Sequence, residues 1–298
     1  MKTSKSGMSE RTRRRIELAC RPVNNVVVVS DLHFGCQFGL FTKDTAFALD
    51  GGGGYMPSKL QQTVAAWWHN FWHEWVPTVT RGEPYAVVVN GDIVDGRHHN
   101  STTQITQNLA DQDEMAVSTF KPIVKEAAYF FMVRGTPAHV GEAAENEEKI
   151  AKRLNAVPDK EGHHSRPELW LKVGDGLVHF LHHIGTASAA AYETTALMRE
   201  YGESCAEAGR WGHKAPDIIV RSHRHRHSEI RVPTSTGYGT CFTTAGWQLR
   251  TPFCYRISGA RLQMPQMGGS LIRWGDEELY TRHKTWNIQR GEPEVMTI

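Results

Sequence analysis

Four consecutive valines, Val26 to Val29, constrain this chain more than any other feature. A wholly β-branched run of this length is too short for a helix and favours extended backbone. With no polar residue among the four, the strand must be covered on both faces, as strands inside a parallel sheet are. Its carboxyl end carries Ser30-Asp31-Leu32-His33-Phe34-Gly35. An oxygen donor and an imidazole therefore stand two residues apart, where open α/β sheets collect ligands. One Asp-x-His pair is commonplace on protein surfaces. It gains meaning only if other strands end the same way.

They do. Ala86 to Val89 runs into Gly91-Asp92-Ile93-Val94-Asp95, and Tyr129 to Val133 into Arg134-Gly135-Thr136-Pro137-Ala138-His139. Leu169 to Val173 and Leu177 to Leu181 read as a hairpin through Gly174-Asp175-Gly176, its second strand ending at His182-His183. Asp217 to Val220 ends at Ser222-His223-Arg224-His225. The chain holds 16 histidines, concentrated at these strand ends and at His98-His99 and His163-His164. Neutral imidazole is the commonest metal ligand, so five such endings point to a metal centre rather than to unrelated surface caps.

Between the strands the pattern is helical. Val64, Trp68, Phe71, Trp72 and Trp75 recur at helical spacing in Ser58 to Val76 and should face the core. Gln104 to Ala128, Glu142 to Leu154 and Ala187 to Arg199 are further helical segments, and from Glu229 onward the composition predicts strands that close a second sheet. Residues 36–57 read as an irregular, glycine-rich insertion containing Gly51 to Gly54, with the composition of a lid. It is no P-loop, since Gly-Lys-Ser/Thr does not follow. His69 and His73 lie one turn apart but lack the Glu of a His-Glu-x-x-His helix, so they are read as a surface or partly buried face.

Composition bounds the function. At 298 residues, 40% hydrophobic and 22% charged, the chain is ordinary for one soluble α/β domain, and a net charge of +2 makes no general case for nucleic acid or membrane. Five cysteines without a CxxC pair argue against a disulfide framework or a thiolate zinc site and suit a reducing compartment. The basic run Arg11 to Arg15 has no apolar stretch after it, so it is not read as a secretory signal. The expected organisation is a basic tail over residues 1–22 and a single domain over residues 23–298, in the cytoplasm and without a membrane partner.

The order Asp-x-His, Gly-Asp-x-x-Asp, a glycine-led turn after a strand, a strand-ending His and then x-His-x-His resembles the calcineurin-like metallophosphoesterase superfamily over residues 26–248. The resemblance implies an α/β/β/α sandwich with two sheets and two divalent ions. Asp31, His33 and His225 would hold one ion; His182 and His223 would help hold the other; Asp92 would bridge them; and Asp95 would orient a ligand. His183 competes with His182 for its role. A mixed imidazole and carboxylate set suits Mn first, with Fe, Zn and Ni as alternatives.

Two departures stand out. Ser222 occupies a position where the family has glycine, and Thr136 occupies the place of a ligating Asn, with the following histidine, His139, two positions late. His139 is then either the proton donor or the substitute ligand, and His98 and His99 are weaker candidates for the acid. The implied activity is phosphoester hydrolysis by metal-activated water. Arg11 to Arg15, Arg97, Arg224 and Arg226 tilt the expectation toward phosphodiesters, DNA or RNA among them. A phosphomonoesterase acting on a small molecule or protein, and a metal-binding scaffold without turnover, are the alternatives.

Overall fold

The valine run is strand β1, Asn25–Val29, at the interior of a six-stranded sheet. The computed structural model describes residues 23–98, 100–141, 143–185, 190–235, 237–252, 265–288 and 295–296. The basic run Arg11 to Arg15 and His99 fall outside the described residues. β1 runs parallel to β4, Tyr85–Asn90, which runs parallel to β5, Tyr129–Val133, and β5 to the short β6, Ser165–Arg166. Val29 pairs with Val89, and Asn90 with Val133, so the three main strands stop at nearly the same height.

The two-residue period of the valines sets the layering. Val27 and Val29 enter one apolar cluster with Trp68, Phe71, Phe120 and Ile150 from the helices on that face. Val26 and Val28 enter a second, with Val178, Phe180, Ile218, Val220 and Phe242 from the other sheet. That sheet has five strands: the hairpin β7, Glu168–Val173, with β8, Gly176–Leu181; then β9, Ile218–Arg221; β11, Gly237–Thr243; and β10, Ser228–Thr234, at its edge. Its outer face is covered by a helix, Glu193–Trp211, through Leu197 and Tyr201 against Ile219 and Cys241. Helix, sheet, sheet, helix is the sandwich expected from the sequence.

Details depart from the expectation where neighbours override local pattern. The tryptophan-rich segment is α1, Lys59–Asn70, then a π-helical turn at Phe71–Trp75, then α2, Val76–Thr80. Ser58 and Gln61 cap α1 reciprocally. The wider π turn brings both Phe71 and Trp72 into the core. The next helices are α3, Leu109–Glu126; α4, Pro137–Val140; α5, Glu145–Arg153; and α6, the outer Glu193–Trp211 helix.

The last strands do not all close the second sheet. β12, Gln266–Gly275, and β13, Glu278–Asn287, return to the first, β12 lying antiparallel against β1. The segment 36–57 is not a free lid either. Its Leu40, Phe41 and Phe47 are buried, Tyr55 donates to Gln61 Oε1 at 2.7 Å, and the backbone N–H of Asp50 donates to Asp111 at 3.0 Å. A small ribbon of β2, Phe47–Ala48, with β3, Gly54–Tyr55, carries the exposed glycine tip. No described helix is long and apolar enough to cross a membrane.

Trp247 joins core to strand ends. It is 0% exposed, packs edge-on against Trp68 at 4.9 Å and Phe71 at 5.8 Å, and its backbone N–H donates to the Asp31 carbonyl at 2.9 Å. Trp247→Ala should lower unfolding free energy by about 3–5 kcal/mol, the range for deleting a large buried aromatic. Urea unfolding followed by far-UV circular dichroism checks this, and Trp247→Phe should recover part of the loss.

Candidate metal centre

The strand ends converge because their loops are zipped together. The N–H groups of Leu32 and His33 both donate to the Asp92 carbonyl, at 2.9 and 3.1 Å, and Asp95 N–H donates to the Phe34 carbonyl at 2.9 Å. From the second sheet, the Asn90 amide donates to the Leu181 carbonyl at 3.2 Å and to the Ser222 hydroxyl at 2.7 Å. Ser222 also accepts from Thr244, which lies 2.6 Å from the Ser30 hydroxyl. A hydroxyl at position 222, where the resembled family carries glycine, is thus the junction of a buried chain that ties both sheets at one end.

Asp31, His33, Asp92, Asp95 and His182 all lie there at 2% exposure or less. The first donor group is Asp31, His33 and His225. Nε2 of His33 faces Nε2 of His225 at 3.3 Å, and His225 Nε2 is 3.2 Å from Asp31 Oδ1. Two imidazole nitrogens pointed at each other gain little from sharing one proton and much from sharing one cation. Asp31 Oδ2 is occupied by the Ser30 hydroxyl at 2.5 Å, leaving Oδ1 to face the group.

The second group is His182, His183 and His223, joined through His182 to Asp31 and Asp92. His182 turns Nδ1 to the Asn90 carbonyl at 2.7 Å and so directs Nε2 inward, 3.0 Å from Asp92 Oδ2. Both histidines of the pair sit in this group, His182 buried and His183 exposed. Asp31 belongs to the first group and, with Asp92 and His182, to a further group that adjoins the second. Thr136 engages both oxygens of Asp92, its N–H at 2.6 Å and its hydroxyl at 3.1 Å, and the same hydroxyl lies 3.2 Å from His223 Nδ1.

His139 lies on α4 at the border of the first group, edge-on to His33 at 4.6 Å. Its Nδ1 meets the Asp95 carbonyl at 2.8 Å, which leaves Nε2 as the nitrogen with a proton to give or take. Asp95 stands between His33 Nδ1 at 3.5 Å and His98 Nε2 at 3.3 Å. Residue 31, His33, Asp92, His223 and His225 all have φ between +48° and +70°, in the left-handed region that non-glycine residues rarely adopt. Such backbone costs of order 1–3 kcal/mol per residue and gathers where function fixes geometry.

The electrostatics call for positive charge. Burial would raise Asp31 and Asp92, yet His225 and His182 facing Asp31, and His182 facing Asp92, hold both carboxyls well below the usual range. Burial would likewise lower His182, but Asp92 beside it lifts the imidazole to about 10. His223 falls to about 4 from burial and the neighbouring His182 charge. Asp31 Oδ1 and His182 Nε2 have no well-aligned hydrogen-bond partner although both are buried. Buried oxygen and imidazole donors left unmatched in this way fit divalent cations.

One participant was not legible from the sequence. Glu147 of α5 is fully buried and accepts from Gly135 N–H at 2.7 Å and Ile93 N–H at 3.3 Å, so it fixes the turns that carry Thr136 and Asp92. In a charged helical stretch nothing distinguishes it from its solvated neighbours. Arginines expected to meet phosphate are engaged elsewhere: Arg224 and Arg226 both pair with Glu193, and Arg97 donates to the Gln107 carbonyl.

Two outcomes follow. A Cβ at Gly135 would sit 2.2 Å from Asp92 Oδ1 and 2.3 Å from Asp92 N. Gly135→Ala should therefore displace Asp92 and weaken metal binding at least tenfold by equilibrium dialysis, with little change in circular dichroism. Burial, reinforced by Asp92, pushes the Glu147 carboxyl from 4.5 up to about 7. The metal-free folded state thus keeps a proton that the unfolded chain releases earlier, and this contribution to stability declines as pH rises from about 4.5 to about 7. Glu147→Gln lacks that titration. In EDTA, wild-type stability minus variant stability should decrease across this interval, measured by urea unfolding at several pH values.

No family model matches the chain, and no curated protein does. Solved structures do. Vacuolar Protein Sorting 29 from Cryptosporidium parvum matches at 11% identity and a TM-score of 0.33, over 90% of this chain and 100% of that one. The sulfate thiohydrolase SoxB of Thermus thermophilus, in complex with glycerol, matches at 11% and 0.41, over 90% of this chain and 57% of that one. A metallophosphoesterase from Sphaerobacter thermophilus matches at 10% and 0.37, over 87% and 88%.

Proposed function

We propose that the chain is a metal-dependent phosphoesterase. The observation that carries the reading is the pair of adjoining donor groups, Asp31, His33 and His225 beside His182, His183 and His223, linked by the group of Asp31, Asp92 and His182. When bound, two divalent cations neutralise a phosphate, lower the pKa of water and clamp attacking and leaving oxygens. Mn is the first expectation for this mixed donor set, with Fe, Zn and Ni as alternatives.

The chain's own residues supply the rest. His33 and His225 present nitrogen donors from two different sheets, so a cation there requires the sandwich to be assembled. His139 holds its ring by the Asp95 carbonyl and offers Nε2 to a departing alkoxide, a general-acid role worth about 10²–10⁴ in rate. Asp95 orients His33 and His98 rather than touching substrate. Phosphodiesters, DNA or RNA included, are the favoured substrates because of the basic run Arg11 to Arg15; the pairing of Arg224 and Arg226 with Glu193 withdraws two of the other supports. Thr136 in place of a ligating Asn favours one second reading, a metal-binding scaffold of the same fold without turnover.

The test is hydrolysis of nitrophenyl phosphate mono- and diesters and of single- and double-stranded DNA, after EDTA treatment and Mn²⁺ reconstitution. Wild type should hydrolyse at least one ester only with metal. His225→Ala should lose both metal and rate, by a hundredfold or more, while keeping its circular dichroism. His139→Ala should keep its metal and slow alkyl esters far more than nitrophenyl esters. Bound metal with no ester hydrolysed would establish the scaffold instead, and wild-type rates in His225→Ala would remove the assignment of that residue.

A further inference from the structure

A third set of donors lies apart from the strand-end centre, where the edges of the two sheets meet. β10 is the edge strand of the five-stranded sheet and β13 that of the six-stranded sheet. His227, just before β10, Glu229 on β10 and His283 on β13 bring ligand atoms within 4.8 Å of one another. The two imidazoles stack at 3.7 Å with 26° between their planes. His283 Nε2 is 2.8 Å from Glu229 Oε2.

Each donor is held from behind. His227 directs Nδ1 to the Thr243 carbonyl at 3.0 Å, leaving Nε2 for the cluster. His283 takes the Ser270 hydroxyl on Nδ1 at 2.8 Å and is thereby fixed with Nε2 toward Glu229. The Thr281 hydroxyl donates to Glu229 Oε2 at 2.7 Å, leaving Oε1 without that constraint. Imidazoles pinned through one nitrogen leave the other for a ligand, as around many protein-bound metals; here Nε2 of His283 meets Glu229 and His227 stacks beside it. Side-chain exposures of 15% for His283 and 21% for Glu229 leave the cluster reachable from solvent.

We propose that His227, Glu229 and His283 form a separate transition-metal site that ties the edge strands of the two sheets together. Two imidazoles and one carboxylate match the donor set of zinc with three protein ligands and a position for water. The nitrogen donors disfavour Mg²⁺ and Ca²⁺, which take oxygen shells. Hydrogen bonding between His283 and Glu229 alone would account for that one contact. It does not account for His227, whose Nε2 is left for the same cluster by the loop just before β10. The site is independent of the phosphoesterase reading, since it shares no residue with either donor group of the main centre.

The experiment uses full-length protein stripped with EDTA and titrated with Zn²⁺ by equilibrium dialysis, with Co²⁺ absorption as a spectroscopic readout. Wild type should take up one more equivalent of Zn²⁺ than Glu229→Gln, which preserves shape and the Thr281 hydrogen bond, or than His283→Ala. His225→Ala, with the main centre impaired, should still show a Zn²⁺-dependent rise in Tm, and the double variant His225→Ala/Glu229→Gln should lose it. Equal zinc stoichiometry in wild type and Glu229→Gln overturns the proposal. So does a Tm rise that survives in the double variant. Should His283→Ala fail to fold, the Glu229→Gln comparison decides alone.

Discussion

Three carboxylates, Asp31, Asp92 and Asp95, are buried to 1% exposure or less at one end of the sandwich. Burying an ionised carboxylate without compensation is far more costly than most single interactions a fold can offer. The surroundings respond to that cost. Histidines face each carboxylate, hydroxyls and backbone N–H groups fill the oxygens turned away from the centre, and the atoms left unmatched, Asp31 Oδ1 and His182 Nε2, point inward. A cluster that demands positive charge and holds its donors rigid is one in which cations complete the structure as well as the chemistry.

Parallel register is what brings the donors together. β1, β4 and β5 end level with one another, and the loops beyond them are hydrogen-bonded in pairs, so side chains from three connections share one small space. Left-handed backbone at Asp31, His33 and Asp92, and at His223 and His225 after β9, turns the chain sharply where these side chains face the centre. Gly135 permits the approach of Asp92, and Glu147 holds the two turns from the helix side. The strain is carried by the packing behind it, in which Trp247 links the aromatic core directly to the Asp31 carbonyl.

Departures from the family pattern have local explanations. Ser222 gives Asn90 and Thr244 a common partner, which a glycine there could not. Thr136 replaces a neutral ligand by a side chain that grips Asp92, while His183, exposed beside the buried His182, brings another nitrogen to the same group. The second donor group is therefore richer in imidazole than the resemblance implies.

The order of strands and the identity of the strand-end donors were legible because both are local: a β-branched run declares a covered strand, and the residue after it is where its side chains leave the sheet. The layered sandwich and the grouping of Asp31, His33 and His225 came from the resemblance that the order of these strand ends carries, not from the local pattern itself. Other features depend on partners distant in the chain. The return of β12 to the first sheet is decided by the backbone edge that β1 offers beside Val26 to Val28. The anchoring of segment 36–57 is decided by the aromatic cluster it meets, and Glu147 differs from other helix glutamates only in what lies opposite it. The cluster of His227, Glu229 and His283 likewise exists only where two sheet edges meet, across 54 positions between Glu229 and His283. Sequence determines which donors a strand end presents; tertiary packing alone decides which of them face one another, because distance in space is set by the whole sandwich and not by spacing along the chain.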